Sequence, residues 1–154
     1  MSTAPTPTTA SPQEVADAMW SRDHATQHLG MAITHLAAGS ATITMAVRRE
    51  MLNGHGMCHG GYLFTLADSA FAYACNTYNL NTVASGCSID FLAPAREGDV
   101  LEATAEERSL AGRTGVYDVT VRVRGGKTVA LFRGKSYRIQ GEVIAGLQAA
   151  KPNT

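Results

Sequence analysis

The sequence predicts an α+β domain in which one long helix is wrapped by a curved antiparallel sheet of about five to six strands, with a further helix at the N-terminus. Two observations carry this expectation. The run GGYLFTLADSAFAYAC, beginning at Gly60, is apolar nearly all round, which marks a helix inside a core and not one lying half in water. Beyond it, four β-rich runs are separated by the short turns AREGD, AGRT and RGGK, the spacing of antiparallel hairpin neighbours. A curved sheet then buries the helix on all sides.

Each element has its own signal. MSTAPTPTTA reads as a flexible tail over residues 1–10. In SPQEVADAMWSRDHATQHLG, Ser11 and Glu14 stand at capping-box spacing, so a helix is expected over about 12–27, ending before Gly30. GMAITHLAAGSATITMAV reads as two short strands joined at Ala38-Gly39. REMLNGHGMCHGG is a glycine-rich loop without periodicity, and the long helix follows over about 60–78. TVASGCSIDFLA, DVLEATAEERSL, TGVYDVTVRVR and KTVALFRGKSYRI are the four later strands. Tyr117, Val119, Val121 and Val123 alternate with Asp118, Thr120 and Arg122, the period of a strand with one wet face. The closing AGLQAAKPNT looks weakly held. A single domain over 11–144 is expected, with a second tail over 145–154.

Composition narrows the function classes. The 154 residues suffice for one domain with a real core, and 45% hydrophobic against 17% charged residues is a globular balance. The formal net charge is zero, so no global field draws the chain to nucleic acid or an anionic membrane. An anionic ligand must meet a local basic patch. No apolar run approaches a membrane span. The three cysteines, at 58, 75 and 87, lack CxxC spacing and are odd in number, which reads as reduced thiols in a cytoplasmic protein.

Chemistry centres on Asp68, the one formal charge in an apolar helix. Burying a carboxylate costs several kcal/mol unless it is paired, and no Lys or Arg lies three or four residues away. A bland account is a carboxylate bonded to backbone or to a hydroxyl of another element. The sharper one is a general base or nucleophile made more basic by dry surroundings. Gly60-Gly61 supplies a second component: a helix N-terminus presents unpaired N–H groups, and glycine lets a ligand approach them. Such donors stabilise an oxyanion developing on a carbonyl. Eight residues of helix separate Gly60 from Asp68 by roughly 12 Å, too far for one carbonyl to touch both. A shared site therefore needs Gly60 of one subunit and Asp68 of another, in a two-fold dimer.

Other constellations are weaker. His55, Cys58 and His59 crowd one loop, but spacing alone is a poor metal signal, and no metal is expected. His59 is expected to orient the helix start. Gly126-Lys127-Thr128 and Gly134-Lys135-Ser136 mimic the end of a phosphate-binding loop, yet Val121 and Val129 occupy the required first glycine.

The blocks Asn53-Gly54-His55, Cys58-His59-Gly60-Gly61, Leu66-Ala67-Asp68 and Phe71-Ala72-Tyr73-Ala74-Cys75-Asn76 resemble the PaaI family of hotdog-fold acyl-CoA thioesterases. VASGCSIDFLAPAREGD, TGVYDV and KTVALFRGKSYRI resemble it too, in the right order, so the likeness spans about residues 15 to 140. It implies a hotdog fold, a homotetramer built as a dimer of dimers, no cofactor and no metal. The implied reaction is thioester hydrolysis of phenylacetyl-CoA or its ring-hydroxylated relatives, within bacterial phenylacetate breakdown. By position, Asp68 is the nucleophile or general base, the Gly60 N–H polarises the thioester carbonyl, and Asn53 is a second polar contact. Related hotdog thioesterases often carry Thr or Ser one turn after the acid; here that residue is Ala72. His59 and Gly61 shape the helix start against the substrate. Phe64, Phe71 and Tyr73 are candidates for an apolar acyl pocket. Arg96, Arg113, Lys127, Arg133, Lys135 and Arg138 are candidates for the coenzyme A phosphates.

Two rivals remain at this level. A hotdog hydratase pairs a catalytic His with an acid, which His59 and Asp68 imitate, though HGGYLFTLAD lacks the proline-rich approach typical of that branch. A non-catalytic acyl-CoA binder is the other.

Overall fold

A computed structural model describes residues 8–150. Its elements are α1 (Pro12–Trp20), α2 (His24–His28), β1 (Ala32–Ala37), β2 (Ser40–Ala46), α3 (Gly60–Cys75), β3 (Leu80–Phe91), β4 (Val100–Ala111), β5 (Thr114–Val123) and β6 (Thr128–Glu142), with a short 3-10 turn at Arg49–Met51. The six strands form one antiparallel sheet in the order β1-β2-β4-β5-β6-β3.

The capping box forms: the Ser11 side chain accepts the Glu14 N–H, and Glu14 accepts the Ser11 N–H. The single helix expected over 12–27 is instead two. The chain breaks after Trp20 because Asp23 caps a new helix, its carboxylate accepting the Thr26 N–H at 3.1 Å. The long helix also ends earlier than expected, at Cys75 and not 78, since the Asn76 amide turns to the Ala72 and Thr82 carbonyls.

The turn AREGD is not a hairpin, which corrects the expectation of neighbouring strands. β3 crosses to the far edge and pairs with β6, while β4 pairs with β2 and β5. Register shifts within β1, β3, β4 and the β5–β6 pair bend the sheet. On the concave face, Ala41, Ala103, Ala105 and Ala130 are buried opposite Ala67, Ala70 and Ala74 of α3, so small residues on both sides let the helix lie close. Gly134 serves the same end, because a Cβ there would stand 2.8 Å from the Phe71 ring. The sheet does not enclose the helix on every side. Thr65, Asp68, Ser69 and Ala72 form a half-buried strip. Part of α3 is covered instead by α1 and α2, through Trp20 against Tyr73 and the Tyr73 hydroxyl donating to Asp23 at 3.0 Å.

Of the expected tails, residues 1–7 and 151–154 lie outside the described residues. Ala10 is buried and its N–H donates to the Gln148 carbonyl at 3.2 Å. Residues 144–147 are tied down by Asn79, which sits fully buried at φ 64. Its amide donates to the Ile144 and Leu147 carbonyls at 3.2 Å each, and its oxygen accepts the Ile144 N–H at 2.8 Å. Asn79→Ala loses three hydrogen bonds and places a Cβ residue in the left-handed region without local compensation. We expect a loss of about 2–3 kcal/mol, read as a lower urea midpoint, with Asn79→Gly losing less because the backbone conformation is kept.

Candidate active site

The start of α3 is built by the loop before it. The Cys58 N–H donates to the Ala95 carbonyl and the His59 N–H to the Met51 carbonyl, both at 2.8 Å, fixing where the helix begins. His59 is the N-cap, and its Nδ1 accepts the Gly61 N–H at 3.0 Å. The His59 carbonyl takes the Tyr62 and Leu63 N–H groups. Among the described residues this leaves the Gly60 N–H as the first-turn donor without a partner, at the positive end of a sixteen-residue helix. His59 thus orients the helix start and leaves the Gly60 N–H unpartnered among the described residues.

Gly60 opens onto a cleft of about 380 Å3 that Asn53, Met57, Cys58, Phe91 and Pro94 help to line. The Asn53 oxygen accepts the His55 and Met57 N–H groups at 2.9 and 3.2 Å, so its NH2 is the end left for the cleft. A Cβ on residue 60 would meet the Phe91 ring at 2.7 Å. The glycine is therefore needed twice: it exposes the amide, and it admits the aromatic wall. Phe91 and its neighbours Leu92 to Ala95 line this candidate site, and sequence reasoning did not single them out. The outward Phe of SIDFLAP, at the end of an alternating strand, was the available signal.

Asp68 lies more than two helical turns further on. It is half-buried, makes no hydrogen bond or ion pair among the described residues, and burial raises its carboxyl above the usual range. Burial raises the Cys75 thiol on the same helix and the Cys87 thiol on β3, and the Asp68 charge adds to both. Burial alone pushes the Cys58 thiol up to about 11, which keeps it protonated and a poor nucleophile at neutral pH.

The other candidates divide by place. Phe64 packs edge-on to Phe132, and Phe71 lies in the core against Tyr117 and Phe132. Arg96 is exposed beside Ala95 at the rim of the Gly60 cleft. Lys127 closes the β5–β6 turn at the same end of the sheet, where Phe91 registers with Ala130. Arg113 sits at the opposite end, in the β4–β5 turn. Arg133 is held by Asp118 at 2.7 Å on the outer sheet face. Among the described residues, no three His, Cys, Asp or Glu side chains come together to hold an ion. Among the described residues, no helix is long and apolar enough to cross a membrane.

Residues 55–130 match the family model of the thioesterase superfamily. The acyl-coenzyme A thioesterase PaaI of Escherichia coli is 53% identical over 128 residues, covering 83% of this chain and 91% of that protein. The chain belongs to the thioesterase superfamily. The solved structure of the E. coli PaaI protein from the phenylacetic acid degradation operon matches with a TM-score of 0.84 at 52% identity, over 85% of this chain and 95% of that one. A thioesterase protein from Streptococcus pneumoniae solved with coenzyme A matches at a TM-score of 0.69 and 28% identity, over 73% of this chain and 87% of its own. The fold is the hotdog thioesterase fold, and this chain is a thioester hydrolase within it.

Proposed function

We propose that this thioesterase hydrolyses phenylacetyl-CoA or ring-hydroxylated phenylacetyl-CoA to the free acid and coenzyme A, in phenylacetate catabolism in the cytoplasm. The E. coli relative's name and operon support the substrate class. The observation that carries the mechanism is the pairing of an unoccupied Gly60 N–H with an unpartnered, more basic Asp68 on one helix. Asp68 takes a proton from water, and the hydroxide attacks the thioester carbonyl. The oxygen gains charge against the Gly60 N–H, with the Asn53 amide nearby. The C–S bond then breaks, and the thiolate leaves with the proton that Asp68 held. Oxygen-18 incorporation into Asp68 in a single turnover would show direct attack by the carboxylate instead.

The site is assembled by two copies. Helical rise separates the two groups by roughly 12 Å. β3 offers a free edge: it pairs with β6 on one side, while Val83 and Phe91 are 46% and 56% exposed. A long unpaired edge is the feature a second copy covers, and the Asp68 charge acts on Cys87 of that strand. Leu131, Tyr137 and Ile139, exposed on β6, favour a further sheet-face contact between dimers, giving a homotetramer. Arg96 and Lys127, at the Gly60 end, suit the coenzyme A phosphates; no metal or cofactor has a role in this scheme.

Thiol release across aryl-acetyl, aryl and straight-chain acyl-CoAs tests the substrate. Subunit mixing tests the sharing. Asp68→Asn chains combined with chains lacking the Gly60 N–H should regain about a quarter of wild-type activity in a statistical mixture, since half the dimers then carry one intact site of two. No recovery after exchange would mean that each chain works alone.

A further inference from the structure

A second cavity, of about 210 Å3, lies at the end of the sheet away from Gly60. Neither Gly60 nor Asp68 lines it, and the hydrolysis scheme above leaves it unused. Much of its wall is apolar: Cys75 from the end of α3, Leu80 opening β3, and Leu110 and Tyr117 from the β4–β5 hairpin. The Tyr78 and Tyr117 hydroxyls both donate to Glu107 Oε1, at 3.0 and 2.8 Å, which fixes both rings and occupies that carboxylate.

Three polar side chains of the lining keep donors to spare. Ser136 is buried, yet its hydroxyl makes no hydrogen bond among the described residues. Space is kept for it by Gly115, its partner across β5 and β6, where a Cβ would stand 2.6 Å from the Ser136 Oγ. Arg138 lies two residues further along β6 and so on the same face of the strand. The Arg138 N–H donates to the Arg113 carbonyl at 2.8 Å, and the Arg113 Nη1 donates back to the Arg138 carbonyl at 3.2 Å. Two guanidiniums are thereby brought to one cavity, and neither forms an ion pair among the described residues. Like charges held together repel until an anion joins them, and a buried hydroxyl without an acceptor is costly.

The lining makes two demands on a ligand. The cations ask for an anion, and guanidinium pairs best with a planar group such as a carboxylate. The apolar walls ask for a hydrophobic body, and a cavity of about 150 Å3 already holds one the size of benzene. A bare inorganic anion leaves the walls uncovered, and a neutral molecule leaves the charges unmet.

We propose that this cavity is a second ligand site that binds a compact organic carboxylate. Arg113, Arg138 and the Ser136 hydroxyl hold the carboxylate, and Cys75, Leu80 and Leu110 cover the hydrophobic body. The free acid that thioester hydrolysis releases has this chemistry, so phenylacetate is the probe; that choice of acid rests on the thioesterase reading, whereas the site itself does not.

The test follows the leucine methyl signals of the full-length carbon-13-labelled protein by NMR during titration with phenylacetate, 2-phenylethanol and inorganic phosphate. We expect phenylacetate to move the Leu80 and Leu110 signals saturably. The alcohol keeps the body without the charge and phosphate keeps the charge without the body, so each should bind about ten-fold more weakly or worse. Arg113→Gln combined with Arg138→Gln should weaken phenylacetate by a similar factor at the same signals. Ser136→Ala should weaken it several-fold, and carries the expectation should the double variant fail to fold. Equal affinity for the alcohol or for phosphate overturns the carboxylate assignment. Shifts confined to Leu63, which lines the Gly60 cleft, place the acid there and overturn the second site. Thiol release from acyl-CoAs is measured separately: its absence overturns the thioesterase reading and leaves an arginine-dependent shift at Leu80 and Leu110 standing.

Discussion

Asp68→Asn should abolish most thioester hydrolysis while leaving the protein folded and as stable as before, or more so. Removing a general base typically costs 10²–10⁴-fold, so a fall in kcat of about 10³ is expected, with KM little changed. The stability arm follows from the direction of the carboxyl shift. Burial raises the folded-state value above the unfolded one, so the folded protein holds this proton more tightly. Between the unfolded and folded values, stability falls as pH rises, and above both the full cost of keeping the charge is present. An amide carries no such cost. The melting temperature of Asp68→Asn at pH 7 should therefore equal or exceed that of wild type, and the difference should vanish in acid. The rate carries the opposite sign: the active form is the carboxylate, so kcat falls as pH drops through a value above the ordinary range for Asp. A variant that melts lower and keeps its rate would remove Asp68 from the mechanism. A rate unaffected by the change, even in a stable protein, would leave the carboxylate a merely structural group.

Gly60→Pro, made together with Phe91→Ala, should cut kcat by about 10²–10³ without unfolding the helix. Proline deletes the N–H that the fold leaves unpaired, and residue 60 is the first helical position, where proline is tolerated. His59 before it has φ −61 and ψ 135, the extended conformation that a residue preceding proline adopts. The remaining obstacle is steric, the Phe91 ring at 2.7 Å from any Cβ, and the second substitution removes it. Gly60→Ala with Phe91→Ala is the matched control, because it adds the same first carbon and keeps the donor. The comparison of these two double variants isolates the hydrogen bond. Equal activity in the pair would show that the Gly60 amide does not stabilise the oxyanion.

Much of this protein was legible in the chain itself. The apolar run from Gly60 to Cys75 reads as a core helix, because most of its circumference is apolar. The alternation from Tyr117 to Val123 can only be a strand with one wet face. Asp68 stood out because a charge in such a helix needs a reason, and Gly60-Gly61 because glycine at a helix start leaves amides open. These are local signals, written in periods of two and 3.6 residues and in the desolvation of one carboxylate. The capping box at Ser11 and the hairpin at Ala38-Gly39 were readable on the same grounds.

What lies between elements was not. The sequence alone determined a buried helix bearing an acid and an exposed amide, six strands around it, and a likeness to acyl-CoA thioesterases. Only the tertiary structure decided that β3 leaves its neighbour β4 and crosses to β6, so that β3 carries a free edge. It alone put Phe91 over Gly60, took Phe71 into the core, sent Arg113 to the end opposite Lys127, and joined Cys75, Leu80 and Leu110 around one cavity. The physical reason is range. Hydrophobic period and helix capping act over a few residues and are visible in order along the chain. The β2–β4 and β3–β6 pairings and the cavity walls join residues distant in sequence, chosen by how the whole sheet closes over one helix.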